Sequence, residues 1–507
     1  QRQHRLRMAD AATEGTSLLD NENDNDTTGQ YLGTQDGETD LLSSIRWWRD
    51  KIHRSVLQHV GEIGMLGSVS IAVNSLTGPA MLNLPATFQK SGFIPTVAAL
   101  VFSCMLSAMC SLHTANVISK VPGNGNFKRE IEYCDVFREF LGQRWFYLSQ
   151  TLFFCCITCL NVSSIVDTAQ VVDTMLGHWF PGGSGAFMFS TAPLGTEWVR
   201  WDYTACSEKV IESGNCIPFF EEENGLLLTA GYMISMVLLL PLSLLDLKEN
   251  SFSQVIGFVI LILCSIQFAT TFIASGLDTT NMSWWGTSWD SLMGVIIFNF
   301  ALVLAIPAWL YEKKEEVDVT TVINGSSLLS VILYVVIGGL GALSVPNVSE
   351  NMLESMMSGS LGKLTQVSAS AFAFFIIGFG VPLFSVLTRL SLTGGEICST
   401  TTANILAVYL PFGLSWIFYQ GDAITSLLSW GGVIFTSLVA FILPLIIAMY
   451  SLNMEADDAA DDRDDHQTTY EGSVNIYGTL WENRTKQGEM KLLILLMAAA
   501  IASICAA

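Results

Sequence analysis

Asn74-Ser-Leu-Thr-Gly-Pro-Ala-Met-Leu-Asn-Leu-Pro85 lies inside the first long apolar run of the chain, about residues 66–88, where an unbroken helix would be expected. Gly78 and Pro79 instead put a helix breaker near its middle. Proline has no N–H to close its turn, and a carbonyl left without a donor in hydrocarbon is costly. Irregular backbone at that depth is tolerated only where it is buried in protein or lines a cavity. Its uncommitted N–H and C=O groups then suit a small zwitterion or a cation. The stretch therefore points to a solute-binding segment of the kind that secondary transporters place at mid-membrane.

Composition agrees with a membrane protein. The 507 residues are 50% hydrophobic and 14% charged, with a mean hydropathy of +0.45, whereas soluble domains average about 25% charged residues. The net charge of −22 belongs largely to two stretches outside the apolar runs. Residues 9–42 hold acids from Asp10 to Asp40 and no Lys or Arg, and residues 455–465 hold seven acids against Arg463 alone. Both read as self-repelling, disordered segments. The acidic balance excludes nucleic acid as a natural partner. The six His include none suitably paired within a span for a metal-binding His/Glu constellation, so neither a metal nor another cofactor is expected, and a membrane-embedded enzyme is not the reading. No apolar signal-peptide core precedes residue 66.

Runs of about 20 apolar residues predict eleven transmembrane helices, near 66–88, 94–118, 145–176, 225–244, 252–275, 290–311, 320–344, 364–388, 398–418, 423–450 and 490–506. The expected fold is all-α and multi-pass: a tail at 1–60, a core at 61–450, an acidic cytosolic loop at 451–489 and an eleventh helix at 490–507. Within the core, repeat one covers about 66–276 and repeat two about 290–450. Lys120, Lys128, Arg129, Arg138, Arg144, Lys248, Lys313, Lys314 and Arg389 all fall in loops on the side of the N-terminus, which the positive-inside rule makes cytosolic. Cys206 and Cys216 share the long 178–224 loop on the opposite face, where an oxidising environment favours a disulfide. In the tail, Glu14 followed by Leu18 and Leu19 fits the acidic dileucine pattern read by clathrin adaptors. Such a signal directs a protein to endolysosomal or vacuolar membranes; without it the plasma membrane is the alternative.

Span six, from Met293 to Pro307, mirrors span one in position and carries Asn299 between Phe298 and Phe300. Interrupted spans in matching places of two halves are the best sequence pointer to a midplane binding site.

The residues from Asn74 to Pro85 resemble the first-helix signature of the amino acid/auxin permease family. Glu132-Tyr133 before Phe140-Leu141-Gly142, Leu239-Leu240-Pro241-Leu242-Ser243, Pro307-Ala308-Trp309 with Glu312, and Val381-Pro382 with Arg389 match that family in order and spacing. The likeness covers about 60–450. It implies a LeuT-type five-plus-five inverted repeat with one extra helix, carrying amino acids by alternating access with a coupling cation, H+ or Na+. By the same resemblance Asn74 helps to hold the cation, and Ser75, Leu76, Thr77 and Gly78 take the amino and carboxylate groups. Phe298, Asn299 and Phe300 then face the substrate side chain. Neither broken core contains a charged residue, which implies a neutral amino acid.

One departure bears on the ion. Sodium-coupled relatives place a threonine just before the Val-Pro pair of span eight, where this chain reads Ile377-Gly-Phe-Gly-Val-Pro382. Ser368 and Ser370, one to two turns further back, are weaker substitutes. Proton coupling then gains ground, with Asp167 of span three as the carrier, since acids inside a membrane are costly and functional by default. Asp173 is expected near the outer end, in contact with solvent. An amino-acid-sensing receptor that keeps a transporter fold but little flux would present the same binding residues.

Overall fold

A computed structural model describes residues 63–77, 79–180, 182–191, 194–202, 218–219, 225–289, 292–348, 352–357, 361–419, 433–461 and 486–506. Glu14, Leu18, Leu19, Gly78, Cys206, Cys216 and the acidic run from residue 462 lie outside these residues, and of Phe298 only the backbone is described.

A helix occupies each of the eleven expected positions. Among the described residues seven are long and apolar enough to cross a membrane, including Phe93–Ser119, Gln143–Trp179, Leu247–Ser275 and Val319–Ser344; Met65–Leu76, Ala230–Ser243 and Met490–Ala502 are shorter apolar helices. Span one is three pieces, Met65–Leu76, a 3-10 turn Pro79–Leu82, and Leu84–Ser91. Span six divides likewise into Leu292–Asn299, Leu302–Leu304 and Ile306–Glu312. Pro85 and Pro307 stand in the first turn of the pieces they begin, where the missing N–H is no loss. Span one packs against spans five and seven, span three against spans four, eight and nine, and span ten against span two.

The expected helical architecture holds, with one small sheet between the helices. Between spans three and four, β1 (Ser184–Thr191) pairs antiparallel with β2 (Leu194–Trp201) on one side and β3 (Gly225–Thr229) on the other. Ala186 is buried and Met188 half-buried while Phe187 and Phe189 are exposed, the alternation of a strand with one covered face. Residues 225–229, expected to begin helix four, form β3. Thr229 then caps the helix by accepting from the Tyr232 N–H at 3.0 Å.

Asp173, expected in solvent, is buried instead. Its side chain is 0% exposed. It accepts from the Ser184 hydroxyl at 2.5 Å, the Gly231 N–H at 2.7 Å and the Tyr419 hydroxyl at 2.5 Å. One carboxylate thus ties span three to β1, to the start of span four and to the end of span nine. Gly231 must be glycine here, since a Cβ would lie 2.5 Å from the Ala169 carbonyl oxygen and 2.6 Å from Asp173 Cγ.

At the opposite end of span three, where the Lys- and Arg-bearing loops lie, the chain is stitched together. Ile63 N–H donates to the Glu312 carbonyl at 2.8 Å and Lys314 N–H to the Ile63 carbonyl at 3.0 Å, joining the start of span one to the end of span six. Lys248 pairs with Glu312 at 3.0 Å. The Arg389 guanidinium of span eight donates to the Leu244 and Leu245 carbonyls at 2.9 and 2.5 Å, closing the end of span four.

At this end, too, Glu132 forms a reciprocal capping box with Asp135 at the start of helix Tyr133–Leu141. Burial, with the charges of Glu130 and Asp135 adding to it, pushes the Glu132 carboxyl up to about 8. A group raised in the folded state contributes stability that is complete below its unfolded value and is lost as pH rises through the folded one. The melting temperature should therefore fall as pH rises from about 5 to about 8, and Glu132→Gln should flatten that decline. An unchanged slope in thermal melts of this variant would assign the pH dependence elsewhere.

Candidate substrate site

The two breaks face each other across a cavity of about 30 Å³ lined by Asn74, Ser75, Leu160, Ser164, Asn299, Ala301, Ile376, Ile377, Gly380 and Phe384. Spans one, three, six and eight each contribute. Towards the basic end, Ser68 and Ala72 of span one pack on Ala305 and Trp309 of span six around a gap of only about 10 Å³.

Breaking a helix frees carbonyls, and neighbouring spans supply the donors. Tyr334 of span seven donates its hydroxyl to the Leu76 carbonyl. Ser107 of span two donates to the Phe300 carbonyl at 2.8 Å. These are the satisfied irregular segments that a bilayer permits. The two asparagines of the breaks are then left half-used. Asn74 Nδ2 donates to the Gln254 carbonyl at 2.8 Å and to Gln254 Oε1 at 2.9 Å. Asn299 Nδ2 donates to the Val295 carbonyl at 3.0 Å. The buried Oδ1 atoms of Asn74 and Asn299 have no protein hydrogen-bond partner. The lining thus offers two amide oxygens amid apolar surface, and no charged side chain. It can receive a positive group at the oxygens and an uncharged side chain against Leu160, Ile376, Ile377 and Phe384.

Of the residues predicted from sequence, Asn74, Ser75 and Asn299 meet in this lining. Ser75 donates to the Ile71 carbonyl at 2.7 Å and Thr77, fully buried, to the Val73 carbonyl at 2.7 Å. Leu76 is also buried, with its carbonyl engaged by Tyr334. Phe300 is buried and turned to the Tyr334 ring, edge to face at 5.9 Å between centroids, so it does not line the cavity. Asp167 is half-buried, one turn beyond Ser164 on span three, and accepts from Ser163 at 3.3 Å. Ser370 donates to the Gln366 carbonyl at 2.9 Å, and neither it nor Ser368 reaches the lining. Sequence reasoning missed Gln254, Tyr334 and Ser107. A glutamine within an apolar run was the available signal for the first.

The family model of the tryptophan/tyrosine permeases matches residues 62–199. That is the first part of the core; the more specific likeness to the amino acid/auxin permeases rests on the motifs alone. No curated protein matches the chain. Among solved structures the chain is similar to MhsT in complex with L-phenylalanine, with 11% identity, 87% of this chain and 98% of that chain covered, and a TM-score of 0.53. It is likewise similar to Mhp1, a nucleobase-cation-symport-1 family transporter, in a closed conformation with bromovinylhydantoin bound, with 10% identity, 88% and 92% coverage and a TM-score of 0.51. The chain has the LeuT-type transporter fold. It is a multi-pass membrane protein, with a small sheet between spans three and four.

Proposed function

We propose that this LeuT-type chain is a cation-coupled secondary transporter of amino acids with neutral side chains, working by alternating access around the breaks in spans one and six. One observation carries the reading: two interrupted spans meet at a small, largely apolar cavity lined by two asparagines whose buried Oδ1 atoms have no protein hydrogen-bond partner. A volume of about 30 Å³ is room for a water or two, so an amino acid enters only when the walls separate. The tryptophan/tyrosine permease match and the phenylalanine bound in MhsT favour large apolar or aromatic substrates, which the Leu160, Ile376, Ile377 and Phe384 walls would accept. Uptake of a radiolabelled amino acid panel into proteoliposomes, with and without sodium and at two pH values, tests this. Absence of uptake for every amino acid, together with retained binding, would make the chain a receptor.

Protons are the preferred driving ion over sodium. Span eight presents Ile376, Ile377, Gly380 and Phe384 to the cavity, with no hydroxyl among them, and Asp167 stands one turn from the lining residue Ser164. An acidic endolysosomal or vacuolar lumen would supply the gradient. Asp167→Asn, which imitates the protonated carboxyl, should retain exchange of internal for external amino acid at close to the wild-type rate and lose accumulation against a gradient. Wild-type accumulation in this variant would remove Asp167 from the coupling, and sodium-driven uptake indifferent to pH would remove the proton.

A further inference from the structure

We propose that Gln254 of span five is a positioning residue that fixes which atom of Asn74 is presented to the cavity, and thereby makes the site one for a cation or an ammonium group. This rests on the transport reading above. The two ends of an asparagine amide are similar in size and opposite in hydrogen-bonding character. An amide free to rotate would offer an anion its N–H as readily as it offered a cation its oxygen.

Here the rotation is settled by backbone carbonyls, which only accept. Gln254 Nε2 donates to the Phe379 carbonyl of span eight at 3.0 Å, which assigns the nitrogen end of Gln254. Its Oε1 is therefore turned to Asn74. Asn74 Nδ2 donates to that Oε1 and to the Gln254 backbone carbonyl as well. The bonds run in one direction, from Asn74 through Gln254 to Phe379, and leave Asn74 Oδ1 as the uncommitted end. Gln254 is 1% exposed, so water does not compete for its amide. Gly257, one turn along span five, leaves the space for Asn74, since a Cβ there would sit 3.2 Å from Asn74 Nδ2 and 3.4 Å from the Phe375 carbonyl oxygen. Span six repeats the device with its own backbone, Asn299 Nδ2 being held by the Val295 carbonyl with Oδ1 left over. Two amides with their nitrogens held back make the acceptor character of the cavity a built property.

The test uses the full chain in proteoliposomes and titrates the driving cation, sodium at fixed pH and protons without sodium, for wild type, Gln254→Leu, Gln254→Glu and Gly257→Ala. The amino acid is the one that wild type takes up best. Gln254→Leu keeps the residue-254 carbonyl but removes the second acceptor of Asn74 Nδ2, and should raise the half-saturating cation concentration up to about tenfold, the scale of one polarising hydrogen bond, with most of Vmax retained. Gln254→Glu, whose neutral carboxyl carries a donor and an acceptor at the same two places, should restore most of that affinity. Gly257→Ala, which crowds the Asn74 amide without touching Gln254, should also raise the half-saturating concentration, and it serves if Gln254→Leu fails to fold. An unchanged half-saturation in these variants, or a loss confined to Vmax and melting temperature, overturns the positioning role while transport stands. A wild type with no cation-dependent uptake overturns the transport reading itself, and the positioning role falls with it.

Discussion

Replacing Asn74 by Ala should lower amino acid uptake by about a hundredfold or more, equivalent to roughly 2.7 kcal/mol in the barrier, while the protein is still made and inserted. The substitution removes an uncommitted oxygen from the cavity and strips both Gln254 acceptors of their donor. Neighbouring hydroxyls do not replace it. Ser75 and Thr77 are each bonded back to a carbonyl four residues earlier in the same helix, the usual resting place of such side chains in membrane helices. Uptake normalised to membrane abundance by immunoblot is the measurement. Kinetics matching wild type would remove Asn74 from the site, and loss of the protein from the membrane would make its role architectural.

The second large effect is on stability. Asp173→Ala should lower the apparent stability of the detergent-solubilised protein by on the order of 4 kcal/mol, since three buried donors lose their acceptor at about 1–3 kcal/mol each and some find another. These donors are the Ser184 hydroxyl, the Gly231 N–H and the Tyr419 hydroxyl. Asp173→Asn should cost much less. Its carbonyl oxygen still accepts from Ser184 and Gly231, and its NH2 can donate to the Tyr419 oxygen with the phenol reoriented. Thermal melts of the three proteins decide the matter. An alanine variant as stable as wild type would return Asp173 to the solvent-facing role that its place near a helix end suggests.

The breaks were legible in the sequence because Gly78-Pro79, Pro85 and Pro307 are backbone constraints, and these act whatever packs around them. Asn74 and Asn299 were legible as polar groups in apolar spans. Ser368 and Ser370 show where such reading stops. They were placed by counting helical turns back from Val381-Pro382, but a π-helical segment, Ala373–Ile377, intervenes. The wider turn shifts the faces of everything before it, so a 3.6-residue projection no longer finds the cavity. The strand Gly225–Thr229 was hidden for another reason. Leu226, Leu227 and Leu228 run into the apolar helix that follows, and a short apolar run fits either structure. The two aromatics of Phe187-Met-Phe189, in a short run bounded by Gly and Ser/Thr, were the better signal that a strand was present. The burial of Asp173 depends on Gly231 and Tyr419, far away in sequence, and no local pattern encodes that.

The pairing of Ile63 with Glu312 and Lys314 has a bearing on how the molecule opens. Its atoms are all main chain, so the seam between the first and sixth helices is held by groups that every amino acid except proline possesses. Side-chain variation along this seam would tune the Lys248–Glu312 pair around it and leave the seam itself in place. The resistance to parting at that end is therefore nearly independent of spelling, and evolution or a protein engineer would adjust the opening rate mostly through what surrounds the seam.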